Sequence, residues 1–220
     1  MTRTWLCSRA RRQGVPLKMI SRQLIATFVL LTAGASLQVH PANSASADQC
    51  GSWRWSVKTL SDPQAGRVSF SPVARTISQL RGLHPPAGLK ASTPRAAPTE
   101  TQVYRVRARL KEYTREDDHD FHVVVAAPSS PSMTMVVEVV DPTCPGARDS
   151  ARLNALRAVR QKFIDIYGEP GRGTFRPVPG QPVAILVGVG FFDQCGPQHK
   201  PRGAAPQCIE LHPVLDTQTP

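Results

Sequence analysis

Glu116–Val125 reads EDDHDFHVVV, four acids and two histidines running straight into an apolar stretch. Phe121, Val123 and Val125 recur at period two, with His122 between them, and β-branched and aromatic residues at that spacing favour a half-buried strand. The stretch therefore divides into a solvated acidic turn, Glu116–Asp118, and a strand over Phe121–Ala127. Upstream, Val103–Tyr113 alternates more strictly. Tyr104, Val106, Ala108 and Leu110 share one face, while Arg105, Arg107, Arg109 and Lys111 share the other. Downstream, the turn residues Pro128, Ser129, Ser130 and Pro131 lead into a third strand, Met133–Val140.

Beyond Val140, Asp149 or Ser150 can cap a helix running to Tyr167, with Leu153, Leu156, Arg160, Phe163 and Tyr167 on one stripe and Gly168 at its end. The Gly/Pro loop GEPGRGTFRPVPGQ precedes a fourth strand, Pro182–Phe192, where Gly188 and Gly190 let the strand bend. A fifth strand covers Cys208–Leu215. Three strands, a helix and two strands make a mainly β fold. The order is that of a five-stranded OB-like Greek-key barrel with one helix between strands three and four, strand three beside strand five and strand one beside strand four. This domain is expected over residues 101–216.

Residues 48–100 carry little long-range apolar periodicity. Trp53, Trp55 and Val57 share a period-two face suited to packing, Ala74–Leu83 offers one short helix, and His84–Glu100 is a Pro-punctuated linker. An extended N-terminal arm is the expectation. Residues 1–47 contain six basic residues and no acid, and their loss lowers the formal charge from +11 to +5. Arg22, the apolar run Leu24–Leu37 and Ala45-Ser46-Ala47 form the three regions of a secretory signal peptide. Met19 is the more usual start for such a segment. The run is shorter than the roughly 20 residues that span a bilayer, and Asp48-Gln49 before Cys50 does not suit a lipidation site. The sequence thus predicts cleavage near Ala47, a secreted or periplasmic address and no stable membrane anchor.

Cys7 leaves with the signal, and Cys50, Cys144, Cys195 and Cys208 remain, an even number that suits an oxidising compartment. Cys195 and Cys208 bracket a Gly/Pro-rich loop between two strands, so they are expected to pair, leaving Cys50 with Cys144. Neither a C-x-x-C pair nor zinc-ligand spacing is present.

GVGFFD (Gly188–Asp193), IELHPVL (Ile209–Leu215), DPTC (Asp141–Cys144) and the acid-rich DFH stretch together resemble an uncharacterised family of secreted bacterial proteins. The resemblance covers most of the chain after Cys50 and implies an exported address and this fold. It brings no established activity. Where family members carry a His-Gly-Gln loop before the last strand, this chain has the loop between Cys195 and Cys208.

Three functions fit these elements. In the first, Arg105, Arg107, Arg109 and Lys111 place four cations along about 20 Å of strand, a binding face for a polar or anionic ligand such as an oligonucleotide, a glycan or an exported protein. The second draws on alternation in strands two, three and five, which puts His122, Glu138 and His212 in a row, with Asp120 and Glu210 beside them. Asp120, His122, Glu138 and His212 could then hold a divalent metal, and His122, His212 and Glu210 could act in a metal-dependent hydrolase of nuclease type. A solvated polar sheet face explains the same pattern without chemistry. The third function is an exported structural domain. The binding domain is the expectation, with no cofactor expected; a divalent metal is possible, held by the cluster with or without hydrolysis. GVGFFD lacks the glycine spacing of a dinucleotide turn, GEPGRGTF lacks the Lys-Ser/Thr of a P-loop, and no G-x-S-x-G element occurs.

Overall fold

The computed structural model describes residues 50–51 and 53–219; the expected signal peptide lies outside them. Seven strands form one mixed sheet, with few helices. The first hairpin is the one read from Glu116–Val125. Strand β2 (Gln102–Arg115) pairs antiparallel with β3 (Phe121–Ala127), Thr114 opposite His122. The acidic turn between them is closed by the Glu116 N–H donating to Asp120 O at 2.9 Å, with His119 at φ 72°. Strand β3 continues through Pro128-Ser129 into β4 (Ser130–Val139), where His122 faces Glu138.

Helix α3 (Leu153–Tyr167) follows. It buries Leu156, Val159, Arg160 and Phe163. Arg160 belongs on that stripe because its charge is used: its guanidinium donates to Val139 O at 3.2 Å and His119 O at 2.9 Å, and lies 3.7 Å from the Phe121 ring centre. The helix begins later than the capping residues suggested, since Ser150 Oγ accepts from Arg152 N–H instead. Gly168, at φ 79°, ends it.

Strand β6 (Val183–Phe192) runs antiparallel both to β2 and to β7 (Ile209–Gln218), and β7 runs parallel to β4. The sequence-predicted neighbours, strand three with five and strand one with four, are thus paired. Register against β7 slips around Gly188 and Gly190. A Cβ at Gly190 would stand 2.6 Å from Thr99 O and 2.7 Å from the Tyr104 ring, so a side chain there cannot be accommodated without a shift. Odd-numbered residues of β3 and β4 and Ile209, Leu211 and Val214 of β7 fill the main core.

Two strands exceed the five expected. β1 (Ser69–Arg75) pairs parallel with β2, and the two-residue β5 (Arg176–Pro177) pairs with its distal half. β1 escaped sequence reading because it is largely exposed, so SFSPVAR has no apolar alternation to detect. Residues 51–100 are accordingly more than an extended arm. They also contain α1 (Trp55–Lys58) and α2 (Ile77–Arg81), the latter with a Thr76/Gln79 capping box. Trp53 and Trp55 do not share a strand face. Trp55 opens α1, donates Nε1–H to Pro145 O at 2.6 Å, and packs by Val140, Ala147 and Leu156.

Buried charges fasten this segment to the sheet. Arg54 donates Nη1–H to Glu100 Oε1 at 2.6 Å, and that oxygen also accepts from Phe192 N–H at 2.9 Å. Glu100 Oε2 accepts from Arg54 Nη2–H and from Ala96 N–H. Arg95 bonds Asp62 at 2.5 Å. Cys50 is bonded to Cys144 and Cys195 to Cys208, with Cα separations of 5.7 and 5.6 Å.

Candidate functional site

The even-numbered polar residues of β3, β4 and β7 point away from the main core, as the alternation requires, but they do not form a solvated face. His122, Glu138, Glu210 and His212 are buried, and Asp120 is fully so. What covers them is what sequence periodicity could not place: Lys58 from α1, Phe175, and the loop between Cys195 and Cys208. Arg202 clamps that loop by donating to both Glu112 carboxylate oxygens at 2.7 Å. Its guanidinium also lies 4.9 Å from the Phe175 ring centre, and Phe175 meets His122 edge-on at 5.3 Å.

His122 is the centre of the first group. Its Nε2 lies 2.8 Å from Arg202 O, a carbonyl that can only accept, so Nε2 carries the proton. Nδ1 then faces Glu116 Oε1 and Glu138 Oε1, each at 2.9 Å. A neutral imidazole would aim a lone pair at two carboxylates. Only a second proton or a cation makes the arrangement favourable. One ligand atom from each of Glu116, His122 and Glu138 lies within 4.8 Å of the others, a spacing that can hold a metal ion. Glu138 Oε2 is buried with no hydrogen-bond partner among the described residues.

His212 centres the second group, between Glu210 Oε1 at 3.0 Å from Nδ1 and Asp120 Oδ2 at 3.2 Å from Nε2. The latter pair is out of line for a hydrogen bond, and among the described residues both atoms lack a partner. Asp120 Oδ1 is satisfied by the Asp141 N–H at 2.7 Å. The expected row exists by register, since His122 faces Glu138 and Val137 faces Leu211, but its side chains divide into two groups. His212 and Asp120 are not in the metal-spaced set, whose third member is Glu116. Sequence reading assigned Glu116 to a solvated turn. The signal for it was the hairpin: Thr114 pairs with His122, and Glu116 lies two residues on, along the same face. Only Asp117 of that turn is exposed; Glu116 and Asp118 are half-buried.

An open cleft of about 500 Å³ lies above, lined by Lys58, Glu116, Asp118 and Asp193, with Trp53 and Phe175 among its other walls. Lys58 Nζ is 3.5 Å from Asp193 Oδ1. Burial would lower its pKa, but Asp193, Glu210, Glu138 and Asp118 raise it well above the usual range. Burial pushes Glu138 up to about 8, with Glu116 adding to it, and Glu210 to about 7, with Asp193 adding. Asp120 rises to about 7 through burial, and Asp118 to about 6 through burial and the Asp120 charge. Burial opposes protonation of His122, yet Glu138 and Glu116 carry it to about 11. Against burial, the His122 hydrogen bond draws Glu116 down. Burial, with Lys58, lowers His212.

These shifts fix a sign. Asp118, Asp120, Glu138 and Glu210 hold protons more tightly than unfolded carboxyls, which titrate near pH ~4. Stability should therefore fall as pH rises from about 4 through the folded values of about 6 to about 8. His122 adds to the fall above its unfolded value of about 6.5, losing its contribution on the way to about 11. Glu116 and His212, both lowered, act in the opposite sense but are outnumbered. With chelator present, the melting temperature at pH 5 should exceed that at pH 8.5; a rise toward pH 8.5 in a thermal-shift scan would contradict this assignment.

Of the predicted cationic stripe, only Arg105 and Arg107 are exposed; Arg109 and Lys111 are half-buried and donate to Gln181 O and Pro131 O at 3.0 and 3.2 Å. The stripe lies apart from the cleft and lines none of it. Comparison with known protein families, with curated proteins and with solved structures finds none that matches this chain.

Proposed function

We propose that the protein is an exported OB-like domain that binds a divalent cation at Glu116, His122 and Glu138, of which Glu116 also lines the cleft. Three features support the OB-like Greek-key reading: the successive pairings β2–β3–β4–β7–β6–β2, the parallel β4–β7 pair, and α3 between β4 and β6. Two disulfides support export, and no described helix is long and apolar enough to cross a membrane.

The observation that carries the cation is the His122 geometry. A histidine whose Nε2–H is fixed by a backbone carbonyl is oriented to present Nδ1 to a metal. Here Nδ1 meets two carboxylates, one with an unpartnered buried oxygen. One imidazole and two carboxylates suit zinc or manganese. Such an ion would supply charge neutralisation and Lewis acidity. Glu116, His122 and Glu138 would hold it, with Phe175 packed edge-on against His122 and Glu116 on the cleft side.

Asp118 favours a second reading, the metal-dependent hydrolase. It lines the cleft and, at about 6, can take a proton near neutral pH. Calorimetric titration of the exported chain with zinc and manganese at pH 7.5 should show one site, with protons released as His122 is deprotonated. Absence of both heat and proton release would overturn the cation reading.

A further inference from the structure

A second set of side chains lies on the exposed edge where β1 meets β2, away from the cleft. The parallel register sets Ala74 beside Arg105 and Arg75 beside Val106. Arg105 and Arg107 recur on one face of β2, about 6.7 Å apart along the strand. Together with Arg75 they give three guanidinium groups around two adjoining grooves of about 340 and 480 Å³, which share Arg75, Thr76 and Arg107. Arg75, Arg105 and Arg107 are all exposed, and among the described residues no carboxylate pairs with any of them. The remaining wall includes Gln79 and Ile185. Gln79 Oε1 is occupied by the Thr76 N–H at 2.9 Å, which leaves its Nε2 to donate elsewhere.

We infer that these grooves bind an acidic polysaccharide. Charge complementarity sets the sign of the ligand: guanidinium forks match carboxylate and sulfate groups in a bidentate manner. The absence of rings selects the class. Among the described residues no aromatic side chain lines either groove, whereas single-stranded nucleic acid sites pair a cationic track with stacking platforms. A duplex requires an element that enters its groove, and this surface is concave. Groove volumes in the range of about 300–1,000 Å³ suit a short run of sugar units, whose hydroxyls Gln79 Nε2 can meet. The site differs from the four-residue stripe read in sequence. It gains Arg75 from β1 and loses Arg109 and Lys111, which line neither groove.

The test is retention of the exported chain on immobilised alginate, which bears carboxylates, and on heparin, which also bears sulfates, with a single-stranded oligonucleotide as competitor. Binding to either glycan, with affinity falling steeply as salt rises, is expected. Arg105→Gln/Arg107→Gln should weaken it at least 10-fold, and Arg75→Gln should do so to a lesser degree. Arg148→Gln/Arg157→Gln removes the same charge at exposed positions elsewhere and should leave binding within about 2-fold, the scale of non-specific charge loss. Retention on alginate identifies carboxylate recognition, and retention on heparin alone identifies sulfate; both support the inference. Melting temperatures equal to wild type establish that the variants are folded. No retention on either glycan, equal loss in both double variants, or preferential capture of the oligonucleotide would overturn it.

Discussion

Glu138→Gln should abolish cation binding, weakening zinc or manganese by more than about 100-fold, beyond the roughly 10- to 100-fold carried by outer partners of metal ligands. It should do so without destabilising the metal-free chain at pH 8. Glu138 is buried, held up to about 8 by burial and Glu116, and keeps one oxygen unpartnered. Replacing a reluctant anion with a neutral amide removes like-charge repulsion while preserving shape. A carboxylate retained only for structure behaves otherwise, because its loss strands His122. Calorimetry and a denaturant curve on the same variant separate the two: weakened binding with stability kept or raised supports a functional Glu138. Unchanged affinity would remove it from the site.

Glu100→Ala should cost about 3–5 kcal/mol, the usual consequence of leaving a buried charge without its partner. Arg54 is buried beneath it, and the Phe192 and Ala96 N–H groups lose their acceptor. Since domains are stable by only about 5–15 kcal/mol, this single change should shift the guanidinium midpoint strongly or prevent folding. Glu100→Gln retains an acceptor and should cost less. A loss below about 1 kcal/mol for Glu100→Ala would show that the charges are solvated. The pair has consequences for the cleft, because Arg54 immediately precedes α1, which carries Lys58. Losing Glu100 leaves Arg54 only its bonds to backbone carbonyls, among them Phe192 O at 3.3 Å at the end of β6, next to the Asp193 that lies 3.5 Å from Lys58.

Much of the framework was legible. Period-two alternation marks β2, β3, β4 and β7 because each has one face in the main core, an apolar run after a Gly/Pro loop marks β6, and the helical stripe through Arg160 marks α3. β1 was not legible, since an exposed strand owes its conformation to pairing with β2 and leaves no apolar pattern. The candidate site was legible in part for a related reason. Alternation assigned His122, Glu138 and His212 to one face, and register aligned them. It could not show that the face is covered, because the cover comes from Lys58, Phe175 and the Cys195–Cys208 loop, residues distant in sequence and without periodicity. That cover turns an ordinary polar face into one whose carboxyls are held near neutral pKa. The hairpin, in which Thr114 pairs with His122, sets Glu116 and not His212 beside His122.

The role of Arg202 illustrates the same limit. Its side chain is tied to Glu112, while its carbonyl fixes the His122 tautomer. Neither residue belongs to any motif. Their relation exists only because the disulfide-closed loop folds back over β3, where Gly203, at φ 79°, lies against Val124 so closely that a Cβ there would fall 2.5 Å from a Val124 methyl.

A divalent cation held by Glu116, His122 and Glu138 would be visible by anomalous diffraction from crystals of residues 48–220 grown with manganese or zinc. One strong peak is expected about 2.0–2.2 Å from His122 Nδ1 and from a carboxylate oxygen of each glutamate. An empty position there, with peaks only at surface sites such as His199, would contradict it.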